Sequence, residues 1–168
     1  LDRFGQIGPK LFIACDGYWY NGKRQEVADK AKAVAEKLGV PLLLVPYAGT
    51  TQTDQENQAG ILHYDDVVQQ FQARPLTYVR QPFSHPLYIL FSSGTTGVPK
   101  CIVHSAGGTL LQHLKEHRFH CELIEGERFF YFTTCGWMMW NWLVTGLASG
   151  ATLCLYDGSP FAPDGTVP

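Results

Sequence analysis

The sequence lacks long apolar runs, low-complexity tracts and a large excess of charge of either sign. No apolar run approaches the roughly 20 residues that a membrane-spanning helix needs. The formal net charge is −2, which argues against a protein whose main task is to hold nucleic acid or an anionic membrane. Hydrophobic residues make up 45% of the chain, an ordinary content that excludes wholesale disorder. We therefore expect a folded protein that binds neither nucleic acid nor membranes.

Paired cysteine motifs and a secretory leader pattern are missing as well. The 5 cysteines are odd in number and widely spread, and no Cys-x-x-C occurs. Such a distribution is typical of a reducing compartment, and we expect a cytoplasmic location. The chain begins at Leu1 and ends in a loop-like stretch rich in Pro, Gly and Asp at residues 161–168. We therefore expect a piece of a longer protein that forms one domain over residues 1–168.

Alternating strand and helix patterns predict an α/β fold. Residues 11–15 are a short apolar run, residues 24–38 have apolar positions at helical spacing, and residues 42–45 are again apolar. Gly39 and Pro41 end the helix between them. A strand, helix and strand at this spacing form a right-handed crossover, which implies a parallel sheet. The expected architecture is a layered αβα subdomain with a mainly parallel sheet.

The remaining elements are assigned from the same periodicities. Residues 47–63 are polar and predict a loop, and residues 65–72 predict a short helix that buries Val67, Val68 and Phe71. Ser105 is a candidate N-cap for a helix that runs to about residue 121. Further strands are expected at residues 87–91, 101–104, 129–132 and 152–156, with a helix at residues 138–147.

The clearest candidate site is the stretch Ser-Ser-Gly-Thr-Thr-Gly-Val-Pro-Lys at residues 92–100. It follows an apolar strand, so we expect it at the carboxyl edge of the sheet, where α/β proteins usually bind ligands. Its glycines allow close approach of the backbone, its hydroxyls and N–H groups are hydrogen-bond donors, and Lys100 adds positive charge. This combination predicts a phosphate-binding loop.

Two other interpretations of this loop remain open. A phosphotransferase would place a helix directly after Lys100, but Gly97 is not adjacent to Lys100 and the residues from Cys101 onward predict a strand. A nucleotide- or polyphosphate-binding module without catalysis would need no further machinery. A turn without any ligand is disfavoured, because a turn does not need so many hydroxyls, glycines and a lysine.

Residues 92–100 resemble the phosphate-binding signature of the adenylate-forming enzymes, which include acyl-CoA synthetases, luciferases and peptide-synthetase adenylation domains. Other stretches resemble the acyl-CoA synthetases that activate acetoacetate more closely than those that activate acetate, and the similarity spans nearly the whole chain. These stretches are residues 2–7, 16–18, 20–23, 104–109, 136–142 and 155–161. Acetate or propionate remains an alternative substrate.

The resemblance implies a two-step ligase that uses ATP, Mg²⁺ and coenzyme A. A carboxylic acid, here acetoacetate, attacks the α-phosphorus of ATP and pyrophosphate leaves; the thiol of coenzyme A then displaces AMP. The resemblance implies phosphate-binding roles for residues of the loop and catalytic roles for three of them, Thr95, Thr96 and Lys100. The phosphate-binding residues are Ser92, Ser93, Gly94, Thr95, Thr96, Gly97 and Lys100.

Two further sites follow from the resemblance. Cys135, Gly136 and Trp137 match a segment that borders the acyl pocket, with Gly136 leaving room for the acyl chain and Trp137 forming a wall. Trp140 and Trp142 are instead expected to be core residues, and a core position remains an alternative for Trp137. Residues 20–23 match a stretch that contacts the phosphates of coenzyme A, so Asn21, Gly22 and Lys23 are candidate contacts, although a plain turn between a strand and a helix explains them as well.

The resemblance also implies that the adenine- and ribose-binding motifs and a smaller C-terminal domain follow residue 168. We therefore expect the isolated chain to be inactive and to self-associate through apolar surface that the rest of the protein would cover.

Four histidines and one aspartate are weaker candidates. His113, His117 and His120 have helical spacing that suits a transition metal, but we favour a structural role and no metal, because Leu110, Leu111 and Leu114 are expected on the buried side. For His104 we also favour a structural role over a contact with nucleotide. Asp157 is interpreted as part of an ordinary Asp-Gly turn.

Overall fold

A computed structural model describes residues 2–49, 60–93 and 97–159. The chain divides into two compact units, residues 1–77 with 157–168 and residues 78–156. The mixture of helices with parallel strands is an α/β fold, as predicted. The assignment of residues 1–168 to one subdomain stays a prediction.

The first unit contains a three-stranded parallel sheet in the order β1-β4-β5 and a separate antiparallel hairpin, β2-β3. Its elements in chain order are β1 (Phe12–Cys15), β2 (Gly17–Tyr20), β3 (Lys23–Glu26), α1 (Ala28–Leu38), β4 (Leu42–Val45), β5 (Ile61–His63) and α2 (Tyr64–Gln69), preceded by a 3-10 turn at Phe4–Gln6.

The predicted crossover of strand, helix and strand is confirmed. β1 and β4 pair in parallel with Phe12 opposite Leu42, and α1 connects them. Gly39 ends the helix with a φ of 67°, the left-handed conformation that glycine adopts without strain. The buried face of α1 consists of small alanines, which lets the helix pack closely on the sheet. The core cluster is Ala28, Ala31, Ala35, Leu42 and Leu44.

The predicted helix begins later than expected because a hairpin precedes it. Residues 24–26 belong to β3, and α1 starts at Ala28. Asn21 and Gly22 have φ values of 53° and 71°, so they form the two-residue turn that the twist of paired strands favours. The interpretation of residues 20–23 as a turn between a strand and a helix is therefore wrong.

Two expectations for residues 47–72 are also wrong. Residues 61–63 form β5, which pairs in parallel with β4. Helix α2 buries none of its residues: Val68 is 49% exposed and Phe71, just beyond the helix, is 70% exposed. A three-residue strand carries too little periodicity to be detected, and its pairing partner decides its conformation. Residues 50–59 of the predicted loop lie outside the described residues.

The second unit contains an antiparallel pair, β6-β7, and a parallel pair, β8-β9. Its elements are β6 (Pro86–Ser92), β7 (Lys100–Ser105), α3 (Ala106–Phe119), β8 (Arg128–Phe130), α4 (Met138–Val144), a 3-10 turn (Thr145–Ser149) and β9 (Thr152–Cys154). The predicted cap is confirmed, since Ser105 Oγ accepts a hydrogen bond from the Gly108 N–H. A core cluster lies between β8, α4 and their neighbours; its residues are Leu123, Phe129, Leu143 and Ala151.

Within the described residues, no helix is both long and apolar enough to cross a membrane.

Candidate functional site

The predicted phosphate loop connects the two strands of an antiparallel pair. β6 ends at Ser92 and β7 begins at Lys100, and these two residues are opposite each other in the register. The loop therefore follows a strand, as expected, but it is a hairpin connection rather than a loop at the edge of a parallel sheet. The strand assignment for residues 101–104 is confirmed within β7, which is not the helix that a phosphotransferase loop requires.

The described part of the loop is open to solvent. Ser93, Gly97 and Lys100 are exposed, Ser92 is half-buried, and Gly97 has a φ of 103°, which only glycine adopts readily. Side chains directly opposite in a strand pair point to the same face, so Ser92 and Lys100 present a hydroxyl and an ammonium side by side. Gly94, Thr95 and Thr96 lie outside the described residues.

A groove of about 550 Å³ lies in the same unit, between the first half of α3 and the start of α4. Its apolar wall consists of Met138, Met139 and Trp142 from α4. Its other wall comes from the end of β7 and from α3, and is mostly polar. The residues on that side are His104, Ser105, Gly108, Thr109, Gln112, His113 and Glu116. His104 borders this groove. Its position therefore does not support the purely structural role that the sequence favours for it.

The sequence analysis missed this groove, although a signal for it is present. Thr109, Gln112, His113 and Glu116 recur at three- and four-residue spacing after the Ser105 cap, which places polar groups along one face of α3. Gln112 Nε2 donates to Glu116 Oε1 at 2.9 Å, and Lys115 Nζ lies 3.0 Å from the same carboxylate oxygen. The contact with Lys115 lowers the pKa of Glu116 and keeps it ionised.

His117 is a fully buried core residue. Its Nε2 lies 3.1 Å from the Trp142 carbonyl oxygen, which can only accept, so Nε2 carries the proton. Its Nδ1 then accepts from the Ser149 hydroxyl at 3.3 Å. The ring also meets Trp142 and Phe129 edge-on at centroid distances of 4.8 and 5.0 Å. Burial lowers the pKa of His117, and the bond to the Trp142 carbonyl opposes part of that shift.

His113 lies one turn earlier and borders the groove. Its Nδ1 is 3.0 Å from Thr145 Oγ1, while that hydroxyl donates to the Asn141 carbonyl at 2.8 Å. Because the single hydroxyl proton of Thr145 is used on Asn141, Nδ1 of His113 must be the donor to Thr145. Nε2 of His113 is therefore the unprotonated nitrogen. Burial, followed by the neighbouring His117 and His104, lowers the pKa of His113 and favours this neutral ring.

The spacing of His113 and His117 on α3 thus places both rings on the packed face of the helix. The structure buries His113 and His117, whereas Leu110 and Leu111 are 43% and 65% exposed, so the expectation that leucines take the buried side is wrong. His120 is exposed beyond the helix end. In the part of the chain that the structure describes, no group of three or more His, Cys, Asp or Glu residues could hold a metal ion.

The segment predicted to border an acyl pocket leads directly into α4. Trp137 is the N-terminal flanking residue of α4 and is 70% exposed, so it is not a core residue. Cys135 and Gly136 are exposed as well, and a Cβ on Gly136 would meet only Thr134 Oγ1 at 3.9 Å. The segment therefore adjoins the groove through Met138 and Met139.

The other two tryptophans are core aromatics, as predicted. Trp140 and Trp142 pack against the buried cluster around Leu143. Trp142 contacts Phe129 edge-on at 4.9 Å, and its other side borders the groove. The core of this unit therefore fixes one wall of the groove directly.

The candidate contacts for coenzyme A, Asn21, Gly22 and Lys23, occupy the exposed tip of the β2-β3 hairpin in the first unit. Arg24 pairs with Glu26 on the same hairpin, with Nε and Oε1 2.5 Å apart. The turn therefore presents backbone groups and one lysine to solvent, which is compatible with a phosphate contact but not specific for it.

Two aspartates in the first unit have structural partners. Asp157 accepts a hydrogen bond of 2.7 Å from the Tyr47 hydroxyl, and this bond raises the pKa of Tyr47. Asp16 is 1% exposed. Its Oδ1 accepts from the backbone N–H groups of Gly17, Tyr47 and Ala48, each at 2.8 Å.

Residues 3–167 match the family of AMP-binding enzymes. The chain belongs to that family. It is 72% identical over 167 residues to an acetoacetyl-coenzyme A synthetase of Rhizobium meliloti (strain 1021), covering 99% of this chain and 26% of the relative. It is 46% identical over 175 residues to an acetoacetyl-CoA synthetase of Gallus gallus, covering 99% of this chain and 26% of that relative.

The chain is also similar in structure to a solved protein with a related name. The chain resembles acetoacetyl-CoA synthetase from Streptomyces lividans with a TM-score of 0.85 and 44% identity, covering 97% of this chain and 24% of that one. The chain thus spans about a quarter of the length of these relatives. The resemblance to AMP-binding enzymes inferred from residues 92–100 is confirmed.

Proposed function

We propose that this chain is part of an ATP-dependent acetoacetate–CoA ligase. The observation that carries the proposal is the 72% identity, along 99% of the chain, to a relative named acetoacetyl-coenzyme A synthetase. The whole enzyme would join acetoacetate to ATP, release pyrophosphate and form acetoacetyl-AMP. The thiol of coenzyme A would then attack the acyl carbon and release AMP.

The loop at residues 92–100 supplies the phosphate-binding part of this chemistry. A carboxylate must approach a triphosphate and a pyrophosphate must leave, so the site must stabilise negative charge. Ser92 and Lys100 lie on one face of the β6-β7 pair, and Ser93 and Gly97 flank them in the open loop. We assign the β- and γ-phosphates to these residues together with Gly94, Thr95 and Thr96. Thr95, Thr96 and Lys100 are assigned as catalytic residues.

The groove beside α4 is assigned as part of the acyl pocket. Cys135, Gly136 and Trp137 lead into it, and Met138 and Met139 provide its apolar wall. Mg²⁺ would accompany ATP as a substrate complex. We retain Asn21, Gly22 and Lys23 as candidate contacts for the phosphates of coenzyme A, because the hairpin tip leaves them accessible.

Another acyl substrate is the main competing function. A malonamoyl-CoA synthetase of Penicillium aethiopicum is 44% identical over 168 residues, which shows that comparable similarity extends to relatives named for a different acid. The decisive test is the exchange of labelled pyrophosphate into ATP by the full-length protein with acetoacetate, malonamate, acetate or propionate. Exchange that depends on acetoacetate supports the proposal. Exchange with only one of the other acids would overturn it and identify that acid as the substrate.

The piece alone should not catalyse this exchange, because it spans about a quarter of its relatives' length. It should also self-associate, since large apolar side chains such as Phe71 and Leu76 are 70% and 80% exposed. Sedimentation of the isolated chain tests the second statement. A cytoplasmic location is proposed as well; its support is that the 5 cysteines are odd in number and widely spread along the sequence.

A further inference from the structure

The groove between α3 and α4 is bordered by two buried polar side chains, each with one hydrogen-bonding atom that has no partner among the described residues. Thr109 and His113 are each only 6% exposed. Thr109 Oγ1 is buried without a hydrogen-bond partner among the described residues. A buried hydroxyl without a hydrogen bond destabilises the folded protein by about 1–3 kcal/mol. A buried group of this kind therefore usually forms a hydrogen bond with a ligand or another partner.

The second group is the imidazole ring of His113, which is hydrogen-bonded through one of its two nitrogens. Its Nδ1–H is committed to Thr145, whose own proton is committed to Asn141. Nε2 is left with a lone pair, and no hydrogen bond to it occurs within residues 2–49, 60–93 and 97–159. The relay through Thr145 therefore fixes which of the two ring nitrogens can accept a hydrogen bond from a ligand.

Thr109 and His113 lie one helical turn apart and share a face of α3. Side chains on a helix tilt towards its N-terminus, so the ring of His113 leans over the turn that carries Thr109. Both residues border the groove, opposite the apolar wall of Met138 and Met139. The groove thus combines an apolar wall with a local pair of neutral hydrogen-bonding groups.

The charges around the groove indicate which end of a substrate it takes. No lysine or arginine is among the described residues that line it, and the carboxylate of Glu116 is already paired with Lys115 Nζ at 3.0 Å. The described lining therefore offers a carboxylate no counter-charge, whereas a neutral oxygen on an otherwise apolar chain would be accepted. The carboxylate of an acid in this groove must point away from α3.

We propose that Thr109 and His113 form a subsite for the oxygen substituent at C3 of a short carboxylic acid. This inference rests on the proposed function and specifies how the acid would be recognised. A 3-keto oxygen accepts a hydrogen bond from the Thr109 hydroxyl. A 3-hydroxyl accepts the same bond and in addition donates its proton to Nε2 of His113. Butyrate has the same chain length but makes neither bond and leaves the Thr109 hydroxyl unpaired.

The test measures equilibrium binding to the full-length protein by ligand-observed NMR titration with acetoacetate, 3-hydroxybutyrate and butyrate. The wild type should bind both oxygenated acids about tenfold or more tightly than butyrate, as one neutral buried hydrogen bond predicts. Thr109→Val should remove most of that preference and leave butyrate binding unchanged. Thr109→Ser, which keeps the hydroxyl, should retain the preference, and Thr152→Val on exposed β9 is the matched control.

Equal binding of all three acids by the wild type, or an unchanged preference in Thr109→Val, would overturn the subsite. The absence of binding by any acid would overturn it too. Pyrophosphate exchange measured on the same samples reports separately on the proposed function: a protein that prefers oxygenated acids but supports no exchange keeps the subsite and loses the ligase assignment.

Discussion

Ser92 lies directly opposite Lys100 where the β6-β7 pair opens into the loop. In such a pair the two Cβ atoms are about 5 Å apart and the side chains share one face. The strand register therefore places a hydroxyl beside an ammonium before any ligand arrives. A phosphate group bound at the loop would meet both groups without a change in the backbone.

Replacement of Lys100 tests the role of its charge. In the full-length protein, Lys100→Ala should lower the rate of adenylation by about 10²-fold, because a preorganised cation stabilises charge that develops on the leaving pyrophosphate. The KM for the acid should change little, since the lysine is assigned to phosphate. Lys30→Ala, on the exposed side of α1, is the control. An unchanged adenylation rate would remove Lys100 from the site.

Trp137 is predicted to set the length of acid that is accepted. Trp137→Gly should raise the ratio of kcat/KM for hexanoate to kcat/KM for acetoacetate, because a side chain that is 70% exposed at the start of α4 can be removed without opening the core. The midpoint temperature of thermal unfolding should stay close to that of the wild type. An unaltered preference for chain length would argue against a pocket wall at this position.

Gly146 and Gly136 form a matched pair for separating packing from specificity. A Cβ on buried Gly146 would lie 2.7 Å from Phe129 Cδ1 and 3.1 Å from Leu153 Cδ2. Gly146→Ala should therefore destabilise the protein by about 1–3 kcal/mol in urea unfolding. A Cβ on Gly136 would meet only Thr134 Oγ1, at 3.9 Å, which is ordinary van der Waals contact. Gly136→Ala should therefore leave stability unchanged, while reducing the turnover of bulkier acids as expected for a residue that borders the acyl pocket.

The buried histidines predict a loss of stability in mild acid. Burial lowers the pKa of both His113 and His117, so the unfolded chain binds more protons as the pH falls below about 6.5. The folded state should be most stable above that pH, and its urea midpoint should fall between about pH 7 and pH 5.

His117→Phe isolates the contribution of one buried ring. The phenyl ring keeps the aromatic packing but leaves the Trp142 carbonyl and the Ser149 hydroxyl without their partner. We expect the free energy of unfolding to fall by about 1–3 kcal/mol at pH 7.5. Below that pH, the free energy of unfolding should depend less steeply on pH than it does in the wild type. A pH dependence as steep as that of the wild type would show that His117 does not titrate on unfolding.

Asp16 is expected to be the most sensitive acidic residue of the first unit. Asp16→Ala removes the acceptor of three backbone N–H groups and should cost more than about 3 kcal/mol in urea unfolding. Asp16→Asn keeps a carbonyl oxygen at the same place and should cost less. Asp29→Ala, whose side chain is fully exposed, should change stability by about 0.5 kcal/mol or less. Similar losses for the alanine variants would contradict this account.

Local sequence patterns were sufficient to predict those helix ends that depend on only a few neighbouring residues. Gly39 ends α1 because a left-handed residue is needed there, and Ser105 caps α3 because its hydroxyl reaches the Gly108 N–H. The hairpin at Asn21 and Gly22 was missed although it follows an equally local rule. The helix predicted over residues 24–38 includes residues 24–26, which in fact pair as a strand.

Sequence patterns alone predict the crossover of strand, helix and strand, the capped helix after residue 105 and the family to which the chain belongs, because each depends on neighbouring residues or on a continuous motif. The pairing of the two strands that flank the phosphate loop, and the burial of histidines in place of leucines on α3, depend instead on contacts between distant parts of the chain. His113 and His117 can be buried because Thr145, Ser149 and the Trp142 carbonyl supply their hydrogen-bond partners. Those partners lie some 25–32 residues away along the chain, where no local pattern could indicate them.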